Sequence, residues 1–197
     1  MTLLVATTND GKLREIRAML ASLPLTLDTL AKHPGLQEPE ETGLTFSENA
    51  KLKARYYAAR TGQICVSEDS GLEIDELDGA PGVQSSRFNG ASYSEKFSAI
   101  YAELKRRKVA SSDARFVCAL AVANGAEIIF EALGMVEGRI AKAPRGETGF
   151  GYDPIFFYPP YGLTLAEVTA EKKAAVSHRG KAFLALRAFL ESSFPRP

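Results

Sequence analysis

Asn124-Gly125 stands between two runs rich in β-formers, residues 115–122 (Arg-Phe-Val-Cys-Ala-Leu-Ala-Val) and 127–133 (Glu-Ile-Ile-Phe-Glu-Ala-Leu). Asn-Gly is favoured where a tight turn needs positive φ, so the pair predicts a hairpin of adjacent antiparallel strands. That puts an antiparallel sheet in the middle of the chain. The flanks have a different character. Residues 2–7 read as a buried strand, Asn9-Asp10-Gly11 as a turn, and residues 12–23 as a helix with Leu13, Ile16, Leu20 and Leu23 near helical spacing. Thr45-Phe46-Ser47-Glu48 matches a capping box, predicting a helix to Arg60 that closes at Gly62. Residues 64–68 form a further strand, interrupted by Asp69-Ser70-Gly71 and resumed at 72–74. Gly79-Ala80-Pro81-Gly82 is a tight loop. Residues 94–108 and about 177–191 read as helices, and 135–141 as a third strand of the central set. Strands and helices interleaved in this way specify a mixed α/β architecture.

The chain has 197 residues, enough for one domain with a substantial core, and no linker divides it. Its 24 basic residues balance its 24 acidic ones, so there is no broad positive field for nucleic acid. Cys65 and Cys118 lie in apolar runs and read as reduced core thiols. With two histidines and no Cys-x-x-Cys pair, a zinc site is not expected. No apolar run approaches the roughly 20 residues of a membrane span, and no signal pattern opens the chain, so the expected location is the cytoplasm.

Five polar stretches remain after the core is assigned. Thr7-Thr8-Asn9-Asp10-Gly11-Lys12 sits where a strand passes into a helix, whose first N–H groups attract phosphate, and Lys12 adds a point charge. It is not a Walker loop, because Ala6 replaces the first glycine and Leu13 follows the lysine. Read alone, it is equally an ordinary capped helix. Glu38, Glu40 and Glu41 form an acidic loop, either solvated or turned toward a divalent cation. Glu68-Asp69-Ser70-Gly71 places two carboxylates directly after an apolar strand, costly if buried without a partner and comfortable beside a cation. One of them could accept a proton from water; the plain alternative is a polar turn. Gly149-Phe150-Gly151-Tyr152-Asp153-Pro154 offers glycines that let backbone approach a ligand and aromatic faces for a base, or else a strand with core aromatics. Ser177-His178-Arg179 opens a helix, where cations oppose the dipole unless an anion or polar ligand offsets them.

The ordered set of these stretches resembles the inosine/xanthosine triphosphate pyrophosphatase family of house-cleaning nucleotidases, and the resemblance covers nearly the whole chain. Its carriers are Thr7-x-Asn9-x-x-Lys12, Glu41-Thr42-Gly43-x-Thr45-Phe46-x-Glu48-Asn49-Ala50, Asp69-Ser70-Gly71-Leu72, Gly79-Ala80-Pro81-Gly82, Phe150-Gly151-Tyr152-Asp153-Pro154 and Ser177-His178-Arg179-Gly180. The resemblance implies an elongated mixed sheet flanked by helices, with two lobes and a central cleft, in one domain over residues 1–197. It implies hydrolysis of ITP, dITP and XTP to monophosphate and pyrophosphate, with Mg2+ and a homodimer, and without nucleic-acid or membrane partners. It places Thr7, Thr8, Asn9, Asp10, Gly11 and Lys12 around the triphosphate, and Ser70 against the substrate. Phe150, Gly151, Tyr152 and Asp153 fall at the base. Lys173, His178 and Arg179 fall at base and phosphates. Glu40 and Asp69 match metal positions, and Asp69 also matches the general base. Glu68 departs from the usual Asp-Asp-Ser-Gly, which leaves its role open. Two other readings stand beside this one, a Maf-like pyrophosphatase acting on other nucleotides and a nucleotide-binding sensor without turnover.

Overall fold

The computed structural model describes residues 1–193. Among the described residues, seven strands form one sheet in the order β2-β1-β3-β4-β5-β6-β7: β1 Thr2–Val5, β2 Thr26–Thr29, β3 Ile64–Ile74, β4 Asp113–Asn124, β5 Glu127–Ile140, β6 Phe156–Tyr158 and β7 Leu163–Thr164. Five α-helices accompany them: α1 Asp10–Leu20, α2 Phe46–Thr61, α3 Tyr93–Arg106, α4 Ala170–Val176 and α5 His178–Ser193. β1 runs parallel to both neighbours, with Leu3 opposite Leu27 and Ile64, and Val5 opposite Thr29 and Val66. β5, β6 and β7 are antiparallel, so the sheet is mixed, as the alternating pattern requires.

The chain divides into two compact units. The first takes residues Met1–Asp69, Cys118–Gly134 and the segment from His178 onward. Its core joins Leu3, Val5, Val66, Cys118, Leu120 and Val122 of the strands to Ile16 and Leu20 of α1 and Ala182, Phe183, Leu186 and Leu190 of α5. Within each strand these positions are two apart, and Val5 pairs with Val66, so they share one face. The second unit takes Ser70–Val117 and Met135–Ser177. Its core gathers Leu72, Ile74, Ile100, Leu104, Phe116, Val136, Ile140, Phe156 and Leu165, with Phe116 and Phe156 stacked 4.4 Å apart.

Local chemistry sets the helix ends. Thr45 caps α2 with both halves of the capping box, and Gly62 ends it at φ 67°, a left-handed conformation that glycine adopts without penalty. Asn9 caps α1 by accepting from the Lys12 amide. Asp10 and Gly11 are thus the first helical residues and not part of a turn. Thr169 caps α4, a short Ala-Glu-Lys run absent from the sequence reading.

Two expected interruptions do not occur. β3 continues through Asp69, Ser70 and Gly71, because the ladder is a backbone property and Asp69 finds side-chain partners off the sheet. β5 is one strand where two were expected. Gly134, at the expected break, is a point of close approach: a Cβ there would collide with the carbonyl of His178 and the amide of Ala182 in α5. Gly134→Ala is expected to cost about 1–3 kcal/mol by overpacking. Denaturant unfolding measures this, and a variant as stable as the parent would contradict the packing of α5 on β5.

Candidate functional site

In the first unit, chemistry collects around the end of the parallel strands. Adjacent residues of a strand point to opposite faces, so Glu68 and Asp69 must part company. Glu68 shares the parity of Val66 and enters the side of α1 and α5. Its carboxylate lies 2.6 Å from Lys12 Nζ and 3.3 Å from Arg179 Nη2, and accepts from Cys118 Sγ at 3.1 Å. Only 3% of Glu68 is exposed. Burial acts to raise its pKa, but the charges of Arg179 and Lys12 outweigh it and hold the carboxyl well below the usual range. Glu68 is therefore a buried anion whose two cations come from two different helices.

Asp69 turns toward α2. It accepts from Asn49 Nδ2 at 3.1 Å and lies 3.5 Å from Lys53 Nζ. Lys53 also binds Glu41, which the acidic loop carries inward. Glu40, the residue expected at a metal, is exposed. Burial pushes the Asp69 carboxyl up, and the negative charge of Glu41 adds to that, against the pull of Lys53, Lys12 and Asn49. Burial likewise opposes the charge on Lys53, but Asp69 and Glu41 prevail and keep it protonated. Two carboxylates, Asp69 and Glu41, thus converge on the Lys53 ammonium. That is a fit for a divalent cation. Among the described residues no group of three or more His, Cys, Asp and Glu side chains gathers to hold a metal unaided.

Asn49 and Lys53 were not singled out from sequence. The available signal was positional. They lie four apart on the stripe Phe46, Asn49, Ala50, Lys53, Ala54, Tyr57 and Ala58 that α2 buries, where polar groups need a reason.

At the β1–α1 junction, Thr7 Oγ1 accepts from the Asn9 amide at 3.2 Å, and Asn9 Oδ1 accepts from the Lys12 amide at 3.0 Å. Thr8, Asn9 and Asp10 are exposed and Gly11 is buried. Lys12 is held on Glu68 and is not a solvated lysine. Across from it, α5 delivers His178 and Arg179, both buried. The sequence argument offset their first-turn position with a ligand. The structure supplies protein carboxylates for Arg179: Glu15 at 2.8 Å from Nη1, and Glu68.

The second unit carries the other polar cluster. Asp153 and Lys173, 2% and 5% exposed, pair at 2.5 Å, and Asp153 Oδ2 also accepts from the Phe150 amide at 2.8 Å. The Lys173 ammonium sits 4.6 Å from the Phe150 ring centroid. Gly149 and Gly151 take φ 75° and 68°, which wraps the loop tightly enough for Asp153 to reach back to it. The glycines thus serve the turn. At Gly149 the group in close approach is the Asp153 carboxylate, and at Gly151 it is the Tyr93 phenol. Tyr152 is core, packed with Ile155 and Phe156, with its hydroxyl donating to the Ser85 carbonyl at 2.7 Å. Its ring is thus largely buried, and its expected place at the base remains part of the proposal below. Phe150 keeps part of its surface. Ser70 follows Asp69 along β3 and is half-buried.

Each unit therefore carries one polar cluster: Asp69 and Glu41 on Lys53 in the first, and a buried Asp153–Lys173 pair with aromatic neighbours in the second. Relatives match this chain over nearly its whole length. A dITP/XTP pyrophosphatase of Nostoc sp. is 48% identical over 185 residues, spanning 93% of this chain and 91% of that one. One from Thermus thermophilus is 47% identical over 195 residues, spanning 98% and 91%. Among solved structures, a Ham1 protein from Coxiella burnetii superposes with TM-score 0.89 at 36% identity, covering 98% of this chain and 99% of that one. The Staphylococcus aureus Ham1 protein gives 0.86 at 33%, covering 98% and 100%. The Ham1 family model matches residues 3–189, and the chain belongs to that family.

Proposed function

We propose that this chain hydrolyses non-standard purine nucleoside triphosphates, ITP, dITP and XTP, to the monophosphate and pyrophosphate. The observation that carries the reading is the Asp69–Lys53–Glu41 cluster, two carboxylates on one ammonium, with Lys12 of α1 near enough to Asp69 to lower its carboxyl. The relatives named above as dITP/XTP pyrophosphatases support the substrate class.

In this reading Asp69 accepts the proton of a water that attacks the α-phosphorus. Asn49 fixes its orientation through the 3.1 Å bond, and Lys53 holds it against Glu41. A carboxyl raised by burial is a better proton acceptor than a solvated one. Asp69 and Glu41 are the carboxylates that would hold Mg2+, with Glu40 the other candidate. The ion, when bound, supplies positive charge to the phosphate oxygens. Lys12 and the first N–H groups of α1 receive the departing pyrophosphate, with Thr7, Thr8, Asn9, Asp10 and Gly11 shaping that junction. Ser70 is proposed to contact the substrate directly. His178 and Arg179 add polar and positive character near the phosphates, the guanidinium being steadied by Glu15 and Glu68.

The base falls to Asp153, Lys173, Phe150 and Tyr152. A 6-oxopurine presents an N1–H donor beside a carbonyl acceptor. A carboxylate and an ammonium side by side match that order, and adenine reverses it. ATP would set donor against donor and acceptor against acceptor at this edge and turn over slowly. GTP shares the 6-oxo edge, so its exclusion must act at the 2-position. A homodimer in the cytoplasm completes the proposal; no helix among the described residues is long and apolar enough to cross a membrane.

With Mg2+ and ITP, the purified protein is expected to release IMP and pyrophosphate, with ATP slower by roughly two orders of magnitude. Product chromatography with separate assays for pyrophosphate and orthophosphate decides this; orthophosphate as the first product, or equal use of ATP, would sink the proposal. Asp69→Asn keeps the shape and removes the base, so kcat should drop by about 10²–10⁴. Turnover by that variant close to the parent rate would remove Asp69 from the role.

A further inference from the structure

We propose that Tyr93 contacts the purine base, its phenol ring forming one wall of the pocket that Phe150, Asp153 and Lys173 begin. This rests on the function proposed above and extends it to a residue that none of the sequence motifs contains.

The first argument is how firmly Tyr93 is mounted. It is the opening residue of α3, directly after the cap Ser92. The Ser92 hydroxyl accepts from the Glu95 amide, and the Glu95 carboxylate accepts from the Ser92 and Ala91 amides at 2.8 Å. The preceding loop is tied down as well. Lys96 Nζ donates to the Gly90 carbonyl at 2.5 Å and lies 5.6 Å from the Tyr93 ring centroid. An aromatic on so well-tied a helix start has little freedom to lose when a ligand arrives, which favours binding.

The second argument is where the ring stands. It meets Tyr152 edge-on at 5.3 Å and 89°, so the buried Tyr152 acts as a backstop. A Cβ placed on Gly151 would lie 3.5 Å from the Tyr93 hydroxyl oxygen and 3.6–3.7 Å from the nearest ring carbons. The phenol is thus laid across the Gly149–Asp153 turn. Asp153 is near enough to be felt: the Tyr93 hydroxyl is raised by burial first and by the Asp153 charge second.

The third argument is what remains uncovered. Tyr152 is largely buried, yet Tyr93 keeps 39% of its surface exposed. A single exposed aromatic is unremarkable on a protein surface. Here it packs on the turn from which Asp153 pairs with Lys173, whose ammonium lies 4.6 Å from the Phe150 ring centroid. Convergent polar groups bordered by rigid aromatic surface are what a flat, hydrogen-bonding heterocycle requires. The phosphate end of a nucleotide gains nothing from Tyr93, so its contribution is confined to the base.

The test is steady-state kinetics on ITP with Tyr93→Leu and Tyr93→Phe. Leucine keeps apolar bulk against Gly151 and Tyr152 but has no π-face. KM for ITP should rise about tenfold in Tyr93→Leu, the scale of one base–aromatic stack. Because the contact is made in ground and transition states alike, kcat at saturation should stay within about threefold. Tyr93→Phe restores the ring and should recover most of the lost affinity. An unchanged KM in Tyr93→Leu, or a loss of kcat with KM unmoved, would overturn the inference, the second outcome marking Tyr93 as a support of the fold. Failure of the parent protein to release pyrophosphate from ITP would be a separate result, directed at the proposed function and not at Tyr93.

Discussion

Two neighbouring carboxylates on a central strand cannot face the same way, and the first unit is organised around that fact. β3 sends Glu68 to one side of the sheet and Asp69 to the other. Each needs a counter-charge, because an ionised group out of water without a partner is costly. Glu68 receives two cations, Lys12 and Arg179, with a thiol besides. Asp69 accepts from Asn49 and lies beside the Lys53 ammonium, which also binds Glu41. The two carboxylates are thus held by different elements, Glu68 by α1 and α5 and Asp69 by α2.

The Glu68 side sets geometry. Lys12 rides on α1 and Arg179 on α5, and Glu68 joins the two helices through the end of β3. Such pairs contribute little net stability compared with apolar packing, yet losing one partner strands the other and costs about 3–5 kcal/mol. This gives a physical reason for the longer side chain at position 68. A glutamate reaches Lys12 at 2.6 Å while still within 3.4 Å of the guanidinium. Cations fixed in advance in this way need little reorganisation, which suits the phosphate role proposed for them.

Much of this was legible in the residues. The Asn124-Gly125 hairpin, the Thr45 capping box with its Gly62 stop, and the opening strand followed by a helix rest on local rules that tertiary packing did not override. The β3 continuity was not legible. Asp-Ser-Gly reads as a turn by propensity, and only the partners on α2 make polar residues tolerable in a central strand. The two clusters were visible as sets of residue types but not as pairings. Nothing local says that Arg179 meets Glu15, 164 residues away, or that Glu41 and not Glu40 turns inward to Lys53. Tyr152 shows the same limit: its spacing next to Phe150 suggested a pair of base-facing rings, while its burial is decided by the aromatic core it joins. Lys53 and Asn49 were readable only as polar residues on an apolar stripe, a signal that has meaning once the stripe's partner is known.

The proposal at the centre is that Asp69 and Glu41, gathered on Lys53, hold the metal. The most direct measurement is the Mg2+ concentration giving half-maximal ITP hydrolysis, compared for the parent, Glu41→Gln and Glu40→Gln. The account predicts a rise of about tenfold or more for Glu41→Gln, the usual scale for groups that support a bound metal, and little change for the exposed Glu40. A large shift for Glu40→Gln with none for Glu41→Gln would contradict it.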